Sequence, residues 1–211
     1  STGRLADQVE SPVSLKARVA LSSPAVQGEL SGDTRLLLDL PAQGLHLRKM
    51  QLSWKGQAPG VQAMAIALRG TLAADGRNGT LRAEDVTLSG DATLGTLRLA
   101  SSTLSLQRFA YDPTNKRLAL ASLLVKIGGT QNGHPLSLNL DWPALVVDGN
   151  SLTGSALTGQ LSLQGPNSME ASFKTAAPSG RFERIVVPNV ESTLKGQSGP
   201  RQFSGNLRAT L

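Results

Sequence analysis

The chain has 211 residues, a formal net charge of +6 and no cysteine, so it can form neither a disulfide framework nor a thiolate metal site. Hydrophobic residues make up 39% of the sequence and aromatic residues only 3%, which leaves leucine to supply most of the apolar surface. No stretch approaches the ~20 consecutive apolar residues of a membrane-spanning helix.

Residues 1–12 show no periodic pattern, and we expect them to form an unpatterned lead, either disordered or a short helix. From residue 13 to residue 211 we expect a single elongated β domain built from repeats. The first clear strand carries Leu36, Leu38 and Leu40 at alternate positions before Pro41 ends the pattern. Such alternation is typical of a strand with one apolar face.

The next element introduces a spacing that recurs along the chain. Apolar residues occupy relative positions 0, 2, 5, 7 and 9, and a glycine follows at position 11. The first copy consists of Leu45, Leu47, Met50, Leu52, Trp54 and Gly56. Because side chains alternate between faces along a strand, the extra residue after the second position needs a β-bulge to keep the apolar set on one face. We therefore predict a bulge at Arg48-Lys49.

The segment that follows this copy is ambiguous. Its apolar residues fit one face of a helix at Val61, Met64, Ala65 and Leu68. They also fit a strand at Met64, Ile66 and Leu68, and we favour the strand because the neighbouring segments are strands. A looser copy of the spacing then begins at Leu81, with a predicted bulge at Glu84-Asp85 and with Gly90 in place of the last apolar residue.

The second complete copy and its partner lie in the middle of the chain. The copy consists of Leu118, Leu120, Leu123, Val125, Ile127 and Gly129, with a predicted bulge at Ala121-Ser122. The partner segment alternates strictly through Leu136, Leu138, Leu140 and Trp142. Pro143 then interrupts the alternation, which resumes at Leu145 and Val147 on a shifted phase.

Two weaker copies complete the series. A degraded copy keeps only Ala156, Leu161, Leu163 and Gly165, and another begins at Ile185 with a predicted bulge at Pro188-Asn189. The closing glycines of the five copies stand 34, 39, 36 and 31 residues apart, an interval that fits two strands and two turns. The pattern predicts an all-β, mainly antiparallel fold in which repeated bulged hairpins form a long curved sheet, a folded sandwich or an open groove.

Residues suited to catalysis are scarce. Only His46 and His134 could act as general bases near neutral pH, and both lie where an exposed structural histidine is expected. The carboxylates are scattered, mostly at turns, and no phosphate loop, nucleophile motif or metal-ligand spacing is present. The sequence therefore predicts a protein that is not an enzyme and that carries no catalytic, metal or cofactor site.

The basic residues are dispersed rather than clustered. Strand alternation places them singly on the polar face, as at Arg18, Arg35, Arg69, Arg82, Arg98, Arg108, Lys126 and Arg208. A nucleic-acid site would need gathered cations and stacking aromatic side chains, so we expect no nucleic-acid partner.

Two segments resemble the periplasmic repeats of AsmA family proteins. The first is the run from Leu104 to Gly129, LSLQRFAYDPTNKRLALASLLVKIGG, and the second is the run from His134 to Gly149, HPLSLNLDWPALVVDG. The segment from Leu152 to Gly165 is similar to the strand that follows in the family. The likeness extends from about Arg35 to Gly196 and is one of pattern more than of signature residues.

This resemblance implies a periplasmic protein of a Gram-negative bacterium, held in the inner membrane by an N-terminal helix. It also implies a hydrophobic β-groove, similar to that of bridge-like lipid transfer proteins, that moves phospholipid between membranes and supports outer-membrane homeostasis. We accordingly expect the chain to be an excised piece of a longer protein whose anchor is missing. The candidate lipid-binding residues are Leu45, Leu47, Met50, Leu52, Trp54, Leu118, Leu120, Leu123, Val125, Ile127, Leu136, Leu138, Leu140 and Trp142.

Two other interpretations remain open at this point. The same apolar residues could pack two sheets together as a filled core, because every β-sandwich needs such a face. The domain could also be a periplasmic scaffold that binds a protein partner through its open sheet edges or assists outer-membrane protein assembly.

Overall fold

A computed structural model describes residues 8–22, 25–40 and 43–210. In this part of the chain the regular structure consists of fifteen β-strands in one open, curved sheet, and each pair of neighbouring strands is antiparallel. The strands are β1 Gln8–Ser22, β2 Ala25–Asp39, β3 Gly44–Ala58, β4 Val61–Asp75, β5 Thr80–Leu94, β6 Leu97–Asp112, β7 Arg117–Gln131, β8 His134–Asp148, β9 Ser151–Gly154, β10 Thr158–Leu163, β11 Met169–Lys174, β12 Ser179–Arg181, β13 Arg184–Val186, β14 Val190–Ser198 and β15 Arg201–Ala209.

The first eight strands form a meander in which each strand pairs with the next along the chain. Tight turns join them, such as Asn132-Gly133 between β7 and β8, where φ is positive at both residues. An Asn-Gly pair suits this turn because both residue types tolerate the left-handed conformation that a tight hairpin needs. The predicted repeat of hairpins is confirmed, and so is the strand assignment of residues 61–68, which lie in β4.

The sheet forks at β8. On one side of Pro143 residues 145–148 pair with β9, and on the other side residues 136–141 pair with β10. The first branch continues through β12 and β13, and the second through β11, β14 and β15. The degraded copy of the repeat falls at this fork, since Ala156 lies between β9 and β10 and interrupts what would have been one long strand.

A line of irregular pairing crosses the sheet perpendicular to the strands. The residues on this bulge line are Lys49, Asp85, Gln107, Ser122 and Pro143. A second irregularity lies in β6, where Ser101 has φ of 56° and the pairing with both β5 and β7 shifts next to Gly90 and Ser102. Lys49, Asp85 and Ser122 have φ of 50°, 51° and 55°. The predicted bulges in β3, β5 and β7 are therefore confirmed, and bulges of this kind bend a sheet and increase its coiling.

The predicted bulge at Pro188-Asn189 takes a different form. Asn189 has φ of 49°, as the bulge residues do, but it lies in a break between β13 and β14. Side chains and backbone of this branch region replace the missing ladder: Ser155 Oγ accepts a hydrogen bond from the Ala144 N–H at 2.7 Å, and the Ala176 N–H donates to the Pro188 carbonyl at 3.1 Å.

The first strand begins earlier than the sequence indicates. Residues 8–12, which we assigned to the lead, belong to β1, whereas residues 1–7 lie outside the described part of the chain. β1 is an edge strand paired only with β2, and edge strands accept residues such as Pro12 that a central strand would exclude.

Little of the molecule is buried. Among the described residues the buried apolar side chains are Leu37, Met50 and Ala83, each about 8% exposed, and no side chain is fully enclosed. A second layer over either face would have sealed many more residues. The architecture is thus a single bent sheet with solvent access to both faces.

Candidate functional site

One face of the sheet is lined by the apolar residues of the repeat, and we call it the leucine face. It comprises Leu45, Leu47, Met50, Leu52, Trp54 and the residues directly opposite them in successive strands, which share a face because cross-strand partners point the same way. The register proves that the bulge restores the face. Leu47 and Met50 pair with Leu72 and Gly70 of β4, two positions apart on a strand without an insertion.

All fourteen predicted site residues lie on the leucine face. Leu45, Leu47, Leu118 and Leu120 lie on one side of the bulge line, and the other ten lie on the opposite side, on the part of the sheet that includes β10. The bulged spacing identified the ten of these residues that lie in β3 and β7, and strict alternation identified the four that lie in β8.

One row of residues crosses the leucine face from edge to edge, and we call it the central row. Adjacent strands contribute, in order, Leu15, Gly32, Leu52, Leu68, Leu88, Leu104, Val125, Leu140, Gly159, Phe173, Ser192 and Leu207. With neighbouring strands ~4.8 Å apart, this row is about 50 Å long. The predicted site contains three members of this row, Leu52, Val125 and Leu140. Sequence reasoning missed the other nine because it drew the site only from the two complete copies of the spacing and from one partner strand.

Charge is segregated between the two faces. From β2 to β14 the described residues of the leucine face include no Asp, Glu, Lys or Arg outside the bulge line. The eight basic residues predicted on the polar face all lie there by register, and some pair across strands, as Arg18 does with Glu29 at 2.9 Å and Arg208 with Glu191 at 3.5 Å. The leucine face can therefore contact only apolar groups favourably.

The leucine face is only partly covered by its own side chains. Leu45, Leu88 and Leu194 are 36%, 37% and 38% exposed, and Leu47, Leu120 and Leu138 are neither buried nor fully exposed. Neighbouring side chains of the same sheet cover the rest of their surface. A continuous apolar surface of this extent is larger than the patches that monomeric proteins usually expose, and such surfaces mark binding sites.

Two aromatic rings cover positions on this surface where a glycine provides no side chain. The Trp54 ring lies over Gly28 of the adjacent strand, and the Phe173 ring lies over Gly159. Any side chain added at either glycine would overlap the ring. Gly28 and Gly159 thus let large rings lie flat against the backbone, as in aromatic rescue of strand glycines.

A hollow of about 280 Å³ interrupts the leucine face between β4 and β7. Its walls include Ile66, Leu88, Leu104, Val125 and Ile127. Its floor lies at Gly90 and the adjacent Ser102, which pair directly with each other. The hollow arises because neither residue supplies a large side chain where the neighbouring strands have Ile66 and Ile127.

The residues considered for catalysis are dispersed. His46 lies on the polar face between Leu37 and Ala73, and the His134 ring lies over Gly165 near the opposite end of the strands. Within the described ranges, no group of three or more histidine, aspartate or glutamate residues could hold a metal ion.

Two aspartates serve the hairpin turns. Asp75 accepts hydrogen bonds from Arg77 and Asn78, and Asp112 accepts them from Asn115. The pKa of Asp75 is lowered mainly by the hydrogen bond from the Asn78 side chain. The pKa of Asp112 is lowered mainly by the hydrogen bond from the Asn115 side chain. Both carboxylates therefore hold turn backbone in place at one end of the sheet.

No protein-family model, curated protein or solved structure matches this chain. The structure contains, among its described residues, no helix long and apolar enough to cross a membrane.

Proposed function

We propose that the chain is a periplasmic, AsmA-like module that binds phospholipid acyl chains along its leucine face and passes lipid between membranes. The observation that carries this proposal is the central row: an uncovered apolar track about 50 Å long that crosses twelve strands. Acyl chains on this track would leave water while the headgroups remain solvated.

The chemistry of the track supports movement rather than tight capture. Burial of apolar surface contributes ~25 cal/mol per Å² without directional preference, so neighbouring positions along a leucine row offer similar binding energies. From β2 to β14, and away from the bulge line, no charged side chain among the described residues of the face would hold a headgroup at one position. Such a surface favours a ligand that exchanges between adjacent sites.

The repeats add a second line of support. Their resemblance to AsmA repeats covers the central strands, and a long, curved β structure with a hydrophobic groove is the architecture that this resemblance implies. In the proposed setting an inner-membrane anchor elsewhere in the full protein would hold the sheet in the periplasm of a Gram-negative bacterium. The module would use no cofactor and would not be an enzyme.

The proposal is tested by lipid analysis of the purified chain. Protein expressed in a Gram-negative host should retain phospholipid detectable by mass spectrometry after extraction. The Val125→Lys variant, which places a charge on the central row, should retain much less, whereas Lys126→Glu on the polar face should retain as much as the wild type. Retention of no lipid by the wild-type chain would refute the proposal.

A protein-binding scaffold is the second candidate, and the open edges of the sheet favour it. Among the described strands, β1 pairs with β2 alone and β15 with β14 alone, so each has one side without a strand partner there. β15 contains no proline, and Phe203 and Leu207 are exposed on it. An extended partner segment could add to this edge by backbone hydrogen bonding. Crosslinking to a periplasmic protein through β15, with no lipid retained, would favour this function.

A further inference from the structure

We propose that the hollow at Gly90 and Ser102 is a preferred site for one acyl chain. The inference rests on the proposed lipid function and assigns a defined position to it. In the repeat, relative position 9 carries Trp54 in β3, Ile127 in β7 and Leu194 in β14, but Gly90 in β5. The adjacent strand supplies Ser102 at the same level. Two neighbouring strands thus lack a large side chain at this level of the sheet.

The backbone does not require glycine at position 90. Its φ lies outside the left-handed region, and a Cβ there would have the Ala65 carbonyl oxygen at 3.1 Å and Ile66 Cγ1 at 3.5 Å as its nearest neighbours. At Gly56, by contrast, a Cβ would meet the Gly28 Cα at 2.8 Å. A Cβ at position 90 would require the Ala65 carbonyl to shift by only a few tenths of an ångström, whereas one at Gly56 would overlap the neighbouring strand. Glycine at position 90 thus leaves open a space that a larger side chain could fill with a small adjustment.

Two polar groups near the hollow already have partners. The Ser102 hydroxyl donates to the Gly128 carbonyl at 3.5 Å, and Asp91 Oδ1 accepts a hydrogen bond from the Ser101 backbone N–H at 2.7 Å. Ser89 and Thr103 also border the hollow but lie on the polar face by register, and the other side chains that line it from the leucine face are apolar. A ligand with a polar centre would give up its hydrogen bonds to water in the hollow without gaining a new partner. A hydrocarbon chain makes no hydrogen bonds to water and so does not have this cost.

The shape of the surroundings favours an extended chain over a compact apolar group. Leu88 and Leu104 border the hollow and are also neighbours on the central row, so the space is continuous with the track. An acyl chain can fill the hollow with one part and lie along the row with the rest, which leaves its polar end free to reach water.

A binding experiment with a photoactivatable palmitic acid, which carries a diazirine near its methyl end, tests the site. The variant Gly90→Leu fills the hollow, and Ser105→Leu is its matched control. Ser105 is in β6, next to the hollow along the sheet, but by register it lies on the polar face, opposite Thr87 and Leu124. Each ligand methylene that the new side chain keeps out of the hollow lowers affinity about fourfold, so displacement of two or more should weaken binding by at least tenfold in Gly90→Leu. Ser105→Leu should bind as the wild type does.

The position of the crosslinks gives a readout that does not depend on the stability of one variant. In the wild-type chain they should map to β4, β5, β6 and β7, and Ser102→Leu, which fills the hollow from the adjacent strand, should remove them. Circular dichroism establishes that each variant retains the sheet. Wild-type binding with crosslinks elsewhere, or with equal affinity in Gly90→Leu, would overturn the site and leave the lipid function standing. No binding by the wild-type chain would overturn both.

Discussion

Truncation of Leu88 to alanine tests whether the leucine face is open in the isolated chain. Leu88 is 37% exposed, so about three-fifths of its surface is removed from water by neighbours on the same sheet. Full burial of a leucine side chain contributes ~1.5–3 kcal/mol, and the covered fraction corresponds to about 1–2 kcal/mol. Solvent can enter the space that Leu88→Ala leaves, so no sealed cavity adds to this cost.

The assay is urea unfolding followed by circular dichroism, with the free energy of unfolding compared at constant m-value. Met50→Ala is the reference variant, because Met50 is 8% exposed at the bend of the sheet. Truncation of a buried methionine costs ~2–5 kcal/mol, so Met50→Ala should destabilise the chain more than Leu88→Ala does. A loss above about 3 kcal/mol for Leu88→Ala would refute the reasoning, since costs of that size belong to enclosed leucines.

Three further substitutions probe the bend, the fork and the turns. Ser122→Gly should raise the unfolding free energy by up to about 1 kcal/mol, since φ at Ser122 is 55° and glycine adopts this conformation without strain; a loss of stability in urea unfolding would contradict it. Ser155→Ala leaves the part-buried Ala144 N–H without its 2.7 Å partner and should cost about 1–3 kcal/mol, with faster hydrogen exchange at that amide; unchanged exchange would argue against the role of Ser155 at the fork. The pKa of Asp112 in the folded chain lies below its ordinary value of 3.8 because Asn115 donates hydrogen bonds to the carboxylate. The carboxylate therefore stabilises the fold above about pH 4, and this contribution is lost as the pH falls through the folded-state pKa. Asp112→Asn should therefore lose less stability than the wild type between about pH 5 and pH 2, and equal losses in pH-dependent unfolding would exclude this contribution.

The sequence predicts the strands best where the apolar spacing is complete. In β3 and β7 the inserted residue follows the second apolar position, and the bulges at Lys49 and Ser122 occur there. The face of every predicted site residue in β3 and β7 follows from this one rule, because alternation is fixed once the bulge is placed.

The fork and the hollow could not be predicted from the spacing alone. Pro143 interrupts the alternation of a single strand, but the fork depends on which strands pair with β8 on either side of it, and pairing is a long-range property. The hollow needs Gly90 of β5 beside Ser102 of β6. A small residue in one strand creates a cavity only when the register places another small residue beside it in the neighbouring strand.

The choice between a filled core and an open face also lay beyond the sequence. Alternating leucines satisfy a packed sandwich and a single sheet equally, and the difference lies in whether a second layer covers them. The exposure of Leu45 and Leu88 distinguishes the two, because both remain more than one-third accessible.

Hydroxyl-radical footprinting of the leucine face with and without lipid tests the central claim most directly. The lipid-free chain should be oxidised at Leu88, Leu104 and Val125, and phospholipid vesicles should protect these residues while leaving exposed polar-face residues such as Leu124 unchanged. Resistance of Leu88, Leu104 and Val125 to oxidation in the lipid-free chain, or oxidation that vesicles do not reduce, would contradict the account of an open face that binds lipid.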